Sequence, residues 1–273
     1  MTQEIVRTHA PNQTDLPSRK DTIRVFDRIA DKHSKSREIY RNRSILRKMV
    51  EFSNVKSGMI VADLGMGEGV VSRYFSDVVG NKGLVVGLDI SGCMTKAARR
   101  QSNGTHKNLD FILSDLSSIP LRKRCLPVVV CRFLLHHIHD SRSFFWNLYH
   151  LLKPNGHALI CDGVTPRIAA VDSFFNTVAR IRDPSHVRYY TKHEILEMFK
   201  DVGFRDIRCS DNLYKEKMIS LKRWVGCINP SIYSDLRRRF AKVNKNVKKA
   251  LEIRITNTDV FFRVPLVIVA GQS

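Results

Sequence analysis

Three glycines stand at alternate positions between a short apolar run and a helical pattern. Residues 63–71 read DLGMGEGVV, which places Gly65, Gly67 and Gly69 in one turn. The preceding GMIVADLG predicts a short buried strand, and the following GVVSRYFSDVVG has apolar residues at helical spacing. Such a turn lets backbone N–H groups approach a ligand that a Cβ atom would hold off. The sequence therefore predicts a ligand-binding loop here.

The same alternation continues along the chain and predicts a doubly wound α/β domain, in which helices cover both faces of a parallel sheet. Two amphipathic helices are predicted within 22–52, before the first strand. At 273 residues the chain can form one large core, or a core with an appended subdomain. Further strands are predicted at 83–89, 109–115, 127–135, 157–164, 204–210 and 260–273, and helices at 91–102, 141–152 and 191–203.

Acidic residues around the loop indicate which nucleotide it binds. The dinucleotide fingerprint needs glycine at the position of Val70, and no Gly-Lys-Ser or Gly-Lys-Thr follows. Asp63 would repel a pyrophosphate and attract a cationic ligand. Asp89, at the end of the second strand, can accept both hydroxyls of a ribose, although it could also cap the next helix. Asp115, after the third strand, can accept a hydrogen bond from the amine of an adenine.

A cation, a ribose and an adenine together describe S-adenosylmethionine (SAM), and the sequence here resembles the class I SAM-dependent methyltransferases. The resemblance covers residues 22–210 and the last strand, and it rests on VADLGMGEG, VVGLDIS, SDLSSIPL, CRFLLHHIHD and LLKPNGHALICD. FDRIADKH, HHIHD and RDPSHVRYYTKHEILEMFKDVGF are similar to the ubiquinone/menaquinone C-methyltransferase and small-molecule (methyltransferase type 11/25-like) branch. The family implies a Rossmann-like seven-stranded sheet with an antiparallel last strand.

The resemblance also implies the site. Family members usually begin the fourth strand with Phe-Asp, where this chain has Leu126 and Pro127. Residues 133–137 are expected to line the methyl-donor pocket, with His137 or His136 facing the substrate. His186, in the loop RDPSHVRYY, is a candidate general base, or else this loop caps a helix through Ser185 or Asp183. The candidate catalytic residues are His137 and His186, and the candidate cofactor-binding residues are Asp63, Gly65, Gly67, Asp89, Ile90, Asp115, Leu116 and Arg132.

The histidines of HHIH (His136, His137 and His139) are not expected to bind a metal, because no cysteine or paired acids stand near them in the sequence. Six cysteines occur without a CxxC pair, and at least three fall in predicted strands, so we expect reduced, buried thiols. The first 20 residues lack the apolar run of a secretory signal, and no run approaches the roughly 18–20 residues of a membrane span. A soluble, cytoplasmic protein is expected.

The net charge is +20, from 46 Lys and Arg against 26 Asp and Glu. Residues 212–254 hold 12 of the basic residues and only 3 acids. We divide the chain into a loosely ordered segment (1–20), a SAM-binding core with cap helices (21–211), a basic helical insertion (212–255) and a final strand (256–273). Within the insertion one helix would pack an apolar stripe, leaving its basic side for RNA or an anionic membrane surface. The stripe consists of Leu236, Phe240, Val243, Val247 and Leu251.

Three functions stay open. The first is a small-molecule C-, O- or N-methyltransferase working by in-line displacement, which needs positioning more than a specific catalytic residue. The second is an RNA or ribosome-associated methyltransferase, favoured by the charge. Neither an Asn/Asp-Pro-Pro-Tyr/Phe tetrapeptide nor a Pro-Cys nucleophile supports it. The third is a non-catalytic SAM-binding or interaction module.

Overall fold

The computed structural model describes residues 17–30, 42–210, 218–226 and 228–273, and its centre is a seven-stranded sheet. The strands follow the spatial order β3-β2-β1-β4-β5-β11-β7, and the short β6 pairs with the end of β5. All neighbours from β3 to β5 are parallel, whereas β11 runs antiparallel to both β5 and β7. The strands are β1 (Ile60–Leu64), β2 (Leu84–Asp89), β3 (Leu109–Leu113), β4 (Leu126–Arg132), β5 (Leu152–Thr165), β6 (Tyr190–Thr191), β7 (Arg205–Ser210) and β11 (Leu266–Gln272).

Helices cover both faces of this sheet, which confirms the predicted doubly wound class. On one face, Phe145 and Phe199 pack with inward residues of β4 and β5; on the other, Met49 and Phe75 do so. The helices are α1 (Arg19–Ile29), α2 (Arg43–Ser53), α3 (Val70–Val79), α4 (Gly92–Ser102), α5 (Ser141–Leu151), α6 (Ala169–Arg182), α7 (Lys192–Asp201), α8 (Leu221–Gly226), α9 (Tyr233–Ala241) and α10 (Lys245–Ala250).

The two predicted N-terminal helices are α1 and α2. Ser18 caps α1 by accepting from the N–H of Asp21, whose carboxylate accepts from the Ser18 N–H in return. Ordered helix therefore begins at Arg19, slightly inside the segment predicted to be loose; residues 1–16 lie outside the described part, as do 31–41 of the predicted second helix.

The predicted single strand over 260–273 is wrong, because the structure divides it between two sheets. Val260–Phe262 form β10, which pairs with β8 (Ile219–Ser220) and β9 (Arg254–Ile255) in a small antiparallel sheet. Pro265 lies between β10 and β11, where it cannot donate a ladder hydrogen bond and restricts the residue before it. Its carbonyl accepts from the N–H of Val164, which fixes the start of β11 beside β5.

The predicted apolar stripe of the basic segment is packed, but two helices, α9 and α10, carry it instead of one. Asn244 is the N-cap of α10, because its side chain accepts from the N–H of Val247 at 3.0 Å. Four stripe residues are buried and Val243 is partly buried, in a cluster that also contains Phe175 of α6 and Phe262 of β10. We call α8–α10 with β8–β10 the cap. The domain boundaries given above stay a prediction.

The described cysteines differ in their exposure to solvent. Of the five cysteines within the described residues, Cys131 and Cys161 are buried, whereas Cys93, Cys125 and Cys209 are exposed, so uniform burial was wrong. Cys209 lies on β7, the strand next to β11 at the edge of the sheet as the described residues form it; the sixth, Cys227, lies outside the described residues. Pro127 coincides with a register shift between β4 and β5, as expected for a residue without an N–H.

No helix in the described ranges is long and apolar enough to cross a membrane.

Candidate active site

The glycine loop joins β1 to α3 and is held against the end of β2. The N–H groups of Gly65 and Met66 donate to the carbonyl of Leu88 at 2.8 and 3.0 Å. Gly65, Gly67 and Gly69 have φ angles of +67°, +55° and +74°, which non-glycine residues rarely adopt. A Cβ on Gly65 would lie 2.7 Å from the Leu134 side chain, whereas one on Gly67 would meet nothing within 4 Å. The Gly67 backbone therefore faces open space.

Asp89, at the end of β2, organises this loop. Its Oδ2 accepts from the N–H of Gly67 at 2.8 Å, and its Oδ1 accepts from the N–H of Ser91 at 2.9 Å. Burial raises the pKa of this carboxyl to about 6, although these two hydrogen bonds oppose the rise. The cap of the next helix is Ser91, which accepts from the Met94 N–H, so the alternative role considered for Asp89 belongs to Ser91.

Asp63 is a buried carboxylate with unfilled hydrogen-bonding capacity. Its side chain is 1% exposed and its Oδ2 accepts from the Ser72 hydroxyl at 2.6 Å. Among the described residues Oδ1 has no hydrogen-bond partner. Burial raises the pKa of Asp63 to about 7, with Ser72 and the Arg132 guanidinium acting in the opposite direction. A cationic ligand that also donates hydrogen bonds would supply what this carboxylate lacks.

Helix α1 covers the cofactor end of the site through contacts that the sequence did not indicate. Arg19 Nη1 lies 2.9 Å from the carboxylate of Asp115. Asp27 accepts from the Ser91 hydroxyl at 2.5 Å and from the Cys93 N–H at 3.2 Å. The carboxylate assigned to adenine is thus already engaged by α1. The amphipathic pattern of α1 was visible in the sequence, but its docking position was not.

These elements enclose a cavity of about 1110 Å³. Single small-molecule sites usually occupy about 300–1000 Å³, so the cavity has room for a cofactor and an acceptor. All eight predicted cofactor-binding residues line it, and so does His137. The rest of its lining includes Phe26 and Ile29 of α1, Arg182 at the end of α6, Trp224 and Phe261 of the cap, Val264, and Leu266 of β11.

His136 lines this cavity and forms a pair with a buried carboxylate. Its Nδ1 lies 2.7 Å from Oδ1 of Asp162, which is 1% exposed near the end of β5. Because a carboxylate accepts, Nδ1 is the donor, and the tautomer with its proton on Nδ1 has its lone pair on Nε2. Such an arrangement suits a general base, since the carboxylate stabilises the protonated ring. The sequence pattern pointed to His136 but not to Asp162 as its partner.

The two histidines preferred from the sequence occupy different positions. His137 lines the cavity, and its Nδ1 donates to the carbonyl of Ser185 at 2.9 Å. Burial, together with the neighbouring His136, lowers its pKa to about 4. His186 is 2% exposed and does not line the cavity; its Nε2 bonds Oδ1 of Asn176 at 3.2 Å. Burial lowers its pKa well below the usual value. This placement favours a packing role for His186, and its catalytic role stays a prediction.

Within the described residues, no group of three or more His, Cys, Asp or Glu side chains is arranged to hold a metal ion. The cluster of His136, His137 and His186 rings, with centroids 4.2–6.4 Å apart, is instead a packed aromatic wall beside Tyr189.

The region of the glycine loop is similar to a known family of domains. Residues 61–156, from the start of β1 into β5, match the model of a methyltransferase domain. Residues 61–156 are therefore similar to a methyltransferase domain. The matched segment contains the glycine loop, Asp89, Asp115 and His136. It therefore includes the carboxyl ends of β1 to β4.

Relatives support this assignment over a longer part of the chain. The uncharacterized methyltransferase YcgJ of Bacillus subtilis is 28% identical over 185 residues, 64% of this chain and 72% of that protein. Its crystal structure superimposes with a TM-score of 0.75 at 22% identity, covering 85% of this chain and 98% of the other. The ubiquinone/menaquinone biosynthesis C-methyltransferase UbiE of Escherichia coli O1:K1 / APEC is 25% identical over 225 residues, 73% of this chain and 90% of that protein.

A third relative carries the cofactor. Phosphoethanolamine N-methyltransferase 2 of Haemonchus contortus, solved with S-adenosyl-L-methionine, has a TM-score of 0.58 at 22% identity, covering 85% of this chain and 52% of that chain. The predicted fold and the resemblance to methyltransferases are thereby confirmed, and a methyltransferase domain with this fold supports SAM as the cofactor.

Proposed function

We propose that the protein transfers a methyl group from SAM to a small, mainly apolar acceptor whose nucleophilic atom loses a proton. The observation that carries this proposal is the His136–Asp162 pair, in which His136 lines the same cavity as the glycine loop and Asp162 is buried behind it. A general base is needed only when the acceptor must be deprotonated, as with a hydroxyl or an acidic carbon. If the acceptor atom were an unprotonated amine, no base would be needed before attack, and the His136–Asp162 pair would have no catalytic role.

At the cofactor end, each buried acid has a complementary group on SAM. The Asp89 carboxylate would accept the ribose hydroxyls, and Asp63 would face the positively charged part of the ligand. Ile90, Asp115 and Leu116 would flank the adenine, with Asp115 held in place by Arg19. When bound, SAM supplies an electrophilic methyl group whose carbon–sulfur bonding pair leaves with the sulfur.

At the acceptor end, the cavity wall is mostly apolar. Phe26 and Ile29 of α1 face the site together with Trp224, Phe261 and Val264 from the region of the cap. Burial of an apolar acceptor against such side chains is favourable by about 25 cal/mol per Å² of apolar surface. It also removes water, which would otherwise compete for the reacting atoms.

His136 would complete the reaction by moving one proton. Nε2 takes the proton of the acceptor as the acceptor atom bonds to the methyl carbon, and Asp162 stabilises the resulting imidazolium. S-Adenosylhomocysteine and the methylated acceptor leave, and the proton passes from His136 to solvent. The charge therefore balances, since a sulfonium and a neutral acceptor give two neutral products and one proton.

An RNA acceptor is the second candidate. It is favoured by the outward position of the basic side chains of α9 and α10, which are exposed on the side opposite the packed apolar stripe. A third possibility, a SAM-binding module without turnover, predicts binding but no transfer.

These candidates are separated by one experiment, in which purified protein and methyl-labelled SAM are incubated with a fractionated cell extract. We expect label in a small-molecule fraction, and we expect it to be lost in His136→Gln. Label in RNA would support the second candidate. Binding of SAM measured by calorimetry, with no labelled fraction, would contradict catalysis.

A further inference from the structure

The cavity wall contains a buried arginine that the methyl-transfer chemistry does not use. Arg182, the last residue of α6, is 4% exposed and lines the cavity. Its Nε donates to the carbonyl of Trp224 at 2.7 Å, and its guanidinium carbon lies 4.7 Å from the centroid of the Trp224 ring. These two contacts fix the plane of the guanidinium against the cap.

The terminal nitrogens of this guanidinium lack hydrogen bonds within the described part of the chain. Nη2 is buried without a partner. Nη1 lies 4.0 Å from Oδ2 of Asp183, which is longer than a hydrogen bond. The other oxygen of Asp183 accepts from the N–H and the hydroxyl of Ser185 at 3.0 and 2.5 Å. Asp183 therefore offsets part of the charge of Arg182 without occupying its hydrogen-bonding edge.

A buried guanidinium with unmet donors is unfavourable, because a buried charged group costs several kcal/mol unless it is paired and hydrogen-bonded. A planar anion that reached the terminal nitrogens would satisfy them, since guanidinium and carboxylate match in a two-bond geometry. The remaining acid on this side, Asp259, is already satisfied by the hydroxyl of Ser220 at 2.5 Å and the N–H of Val260 at 2.8 Å. It does not compete for Arg182.

We propose that Arg182 binds a carboxylate on the acceptor, so that the substrate is an apolar carboxylic acid. This deepens the proposed function and rests on the acceptor occupying the cap side of the cavity. Trp224, which positions the guanidinium, also lines that side, so the acid group and the apolar body of one molecule are recognised together.

The methionine carboxylate of SAM is the rival ligand for Arg182. The cofactor loop, Asp63 and Asp89 lie at the ends of β1 and β2, whereas Arg182 is held by α8 of the cap. Cofactor affinity and acceptor affinity must therefore be measured separately.

The test uses 2-naphthoate and its neutral amide, 2-naphthamide, as probes that contain no group to be methylated. Both are titrated calorimetrically into the full-length protein saturated with S-adenosylhomocysteine. We expect the naphthoate to bind at least tenfold more tightly than the amide. Arg182→Gln should reduce this ratio to about one while leaving the dissociation constant of S-adenosylhomocysteine within twofold. Arg180→Gln, on the same helix and outside the cavity wall, should keep the native ratio.

The proposal would be overturned if the native protein bound the two probes equally. It would also be overturned if the preference for the naphthoate persisted in Arg182→Gln. A loss of S-adenosylhomocysteine affinity in Arg182→Gln, with the probe ratio unchanged, would assign Arg182 to the cofactor and also overturn it. Since the probes are not methylated, these outcomes are independent of whether methyl transfer is demonstrated. Retained S-adenosylhomocysteine binding shows that the variant is folded.

Discussion

Nδ1 of His136 and Oδ1 of Asp162 lie 2.7 Å apart, both nearly excluded from solvent, at the carboxyl ends of the adjacent strands β4 and β5. The backbone N–H of His136 also points to Asp162, with its nitrogen 3.3 Å from Oδ2. The carboxylate therefore fixes both the ring and the turn that carries it. This geometry gives the site a polar orienting group on the acceptor side.

Removing the base should affect turnover and spare cofactor binding. We expect His136→Gln to lower kcat by about 10²- to 10⁴-fold, the usual contribution of a general base. Asp162→Asn should lower kcat less and shift the pH profile, because the ring loses its anionic partner. S-Adenosylhomocysteine affinity should stay within twofold in both. The exposed His193→Gln serves as the control; equal losses there would refute the assignment.

The ribose assignment predicts a large effect at Asp89. Asp89→Ala should weaken S-adenosylhomocysteine binding by more than tenfold, or about 1.4 kcal/mol, because it removes a charged acceptor and releases the Gly67 N–H. Calorimetry measures this directly, with the exposed Asp201→Ala as the matched control. An unchanged affinity in Asp89→Ala would show that the ribose lies elsewhere.

Cofactor affinity should rise with pH through the acidic range. In the ligand-free protein the pKa values of Asp89 and Asp63 are raised to about 6 and about 7, so both carboxyls hold protons below these values. The ribose hydroxyls and the α-ammonium group of bound S-adenosylhomocysteine would favour the charged forms of the two carboxyls, so binding releases protons below about pH 7. We expect the dissociation constant of S-adenosylhomocysteine to fall from pH 5 to pH 7.5 and then level off. In Asp63→Asn the upper part of this change should vanish; a flat native profile would contradict the burial of both acids.

Gly67 and Gly104 provide a test of the open side of the loop. Both have positive φ, +55° and +77°, and a Cβ on either would meet nothing within 4 Å. Alanine at each should therefore cost a similar free energy of unfolding, about 1 kcal/mol. Only Gly67 lines the cavity, so only Gly67→Ala should weaken S-adenosylhomocysteine binding, by tenfold or more. Similar binding by both variants would exclude close approach of the cofactor to Gly67.

The basic face of the cap predicts salt-sensitive binding to polyanions. Arg237 is a poor residue for this test, because its Nη2 donates to the carbonyl of Thr256 at 2.7 Å and supports the fold. Lys248 and Lys249 are exposed on α10. Replacing both with Gln should weaken retention on single-stranded RNA or anionic vesicles at low salt, and leave S-adenosylhomocysteine binding unchanged. An equal effect from Lys153→Gln with Lys200→Gln would mean that net charge alone is responsible.

The cofactor side could be predicted from the sequence because its signals are local. The glycine turn, and the positions of Asp63 and Asp89 at strand ends, follow from hydrophobic patterns a few residues long. The His136–Asp162 pair and the docking of α1 depend on contacts between distant residues. Asp162 meets His136 across 26 positions, and Asp27 meets Ser91 across 64. Strand register and helix docking decide those contacts, and neither can be deduced from spacing.

The division of the predicted last strand at Pro265 also depends on more than the local sequence. A proline within an apolar run was a visible signal, but the run on both sides of it favoured one strand. What separates β10 from β11 is the availability of two different partners, β8 and β9 for one and β5 and β7 for the other. Competition between partners is a property of the whole fold.

The position of β11 between β5 and β7 has a consequence for how such proteins diversify. The cap is inserted in the chain between two strands that are already neighbours in the sheet, Arg205–Ser210 and Leu266–Gln272. Its two points of attachment therefore lie close together, so a replacement segment of different length can be grafted there without disturbing the pairing of β1, β2 and β4. Natural variation confined to the cap would change which molecule is modified, while the residues that bind the methyl donor would stay the same.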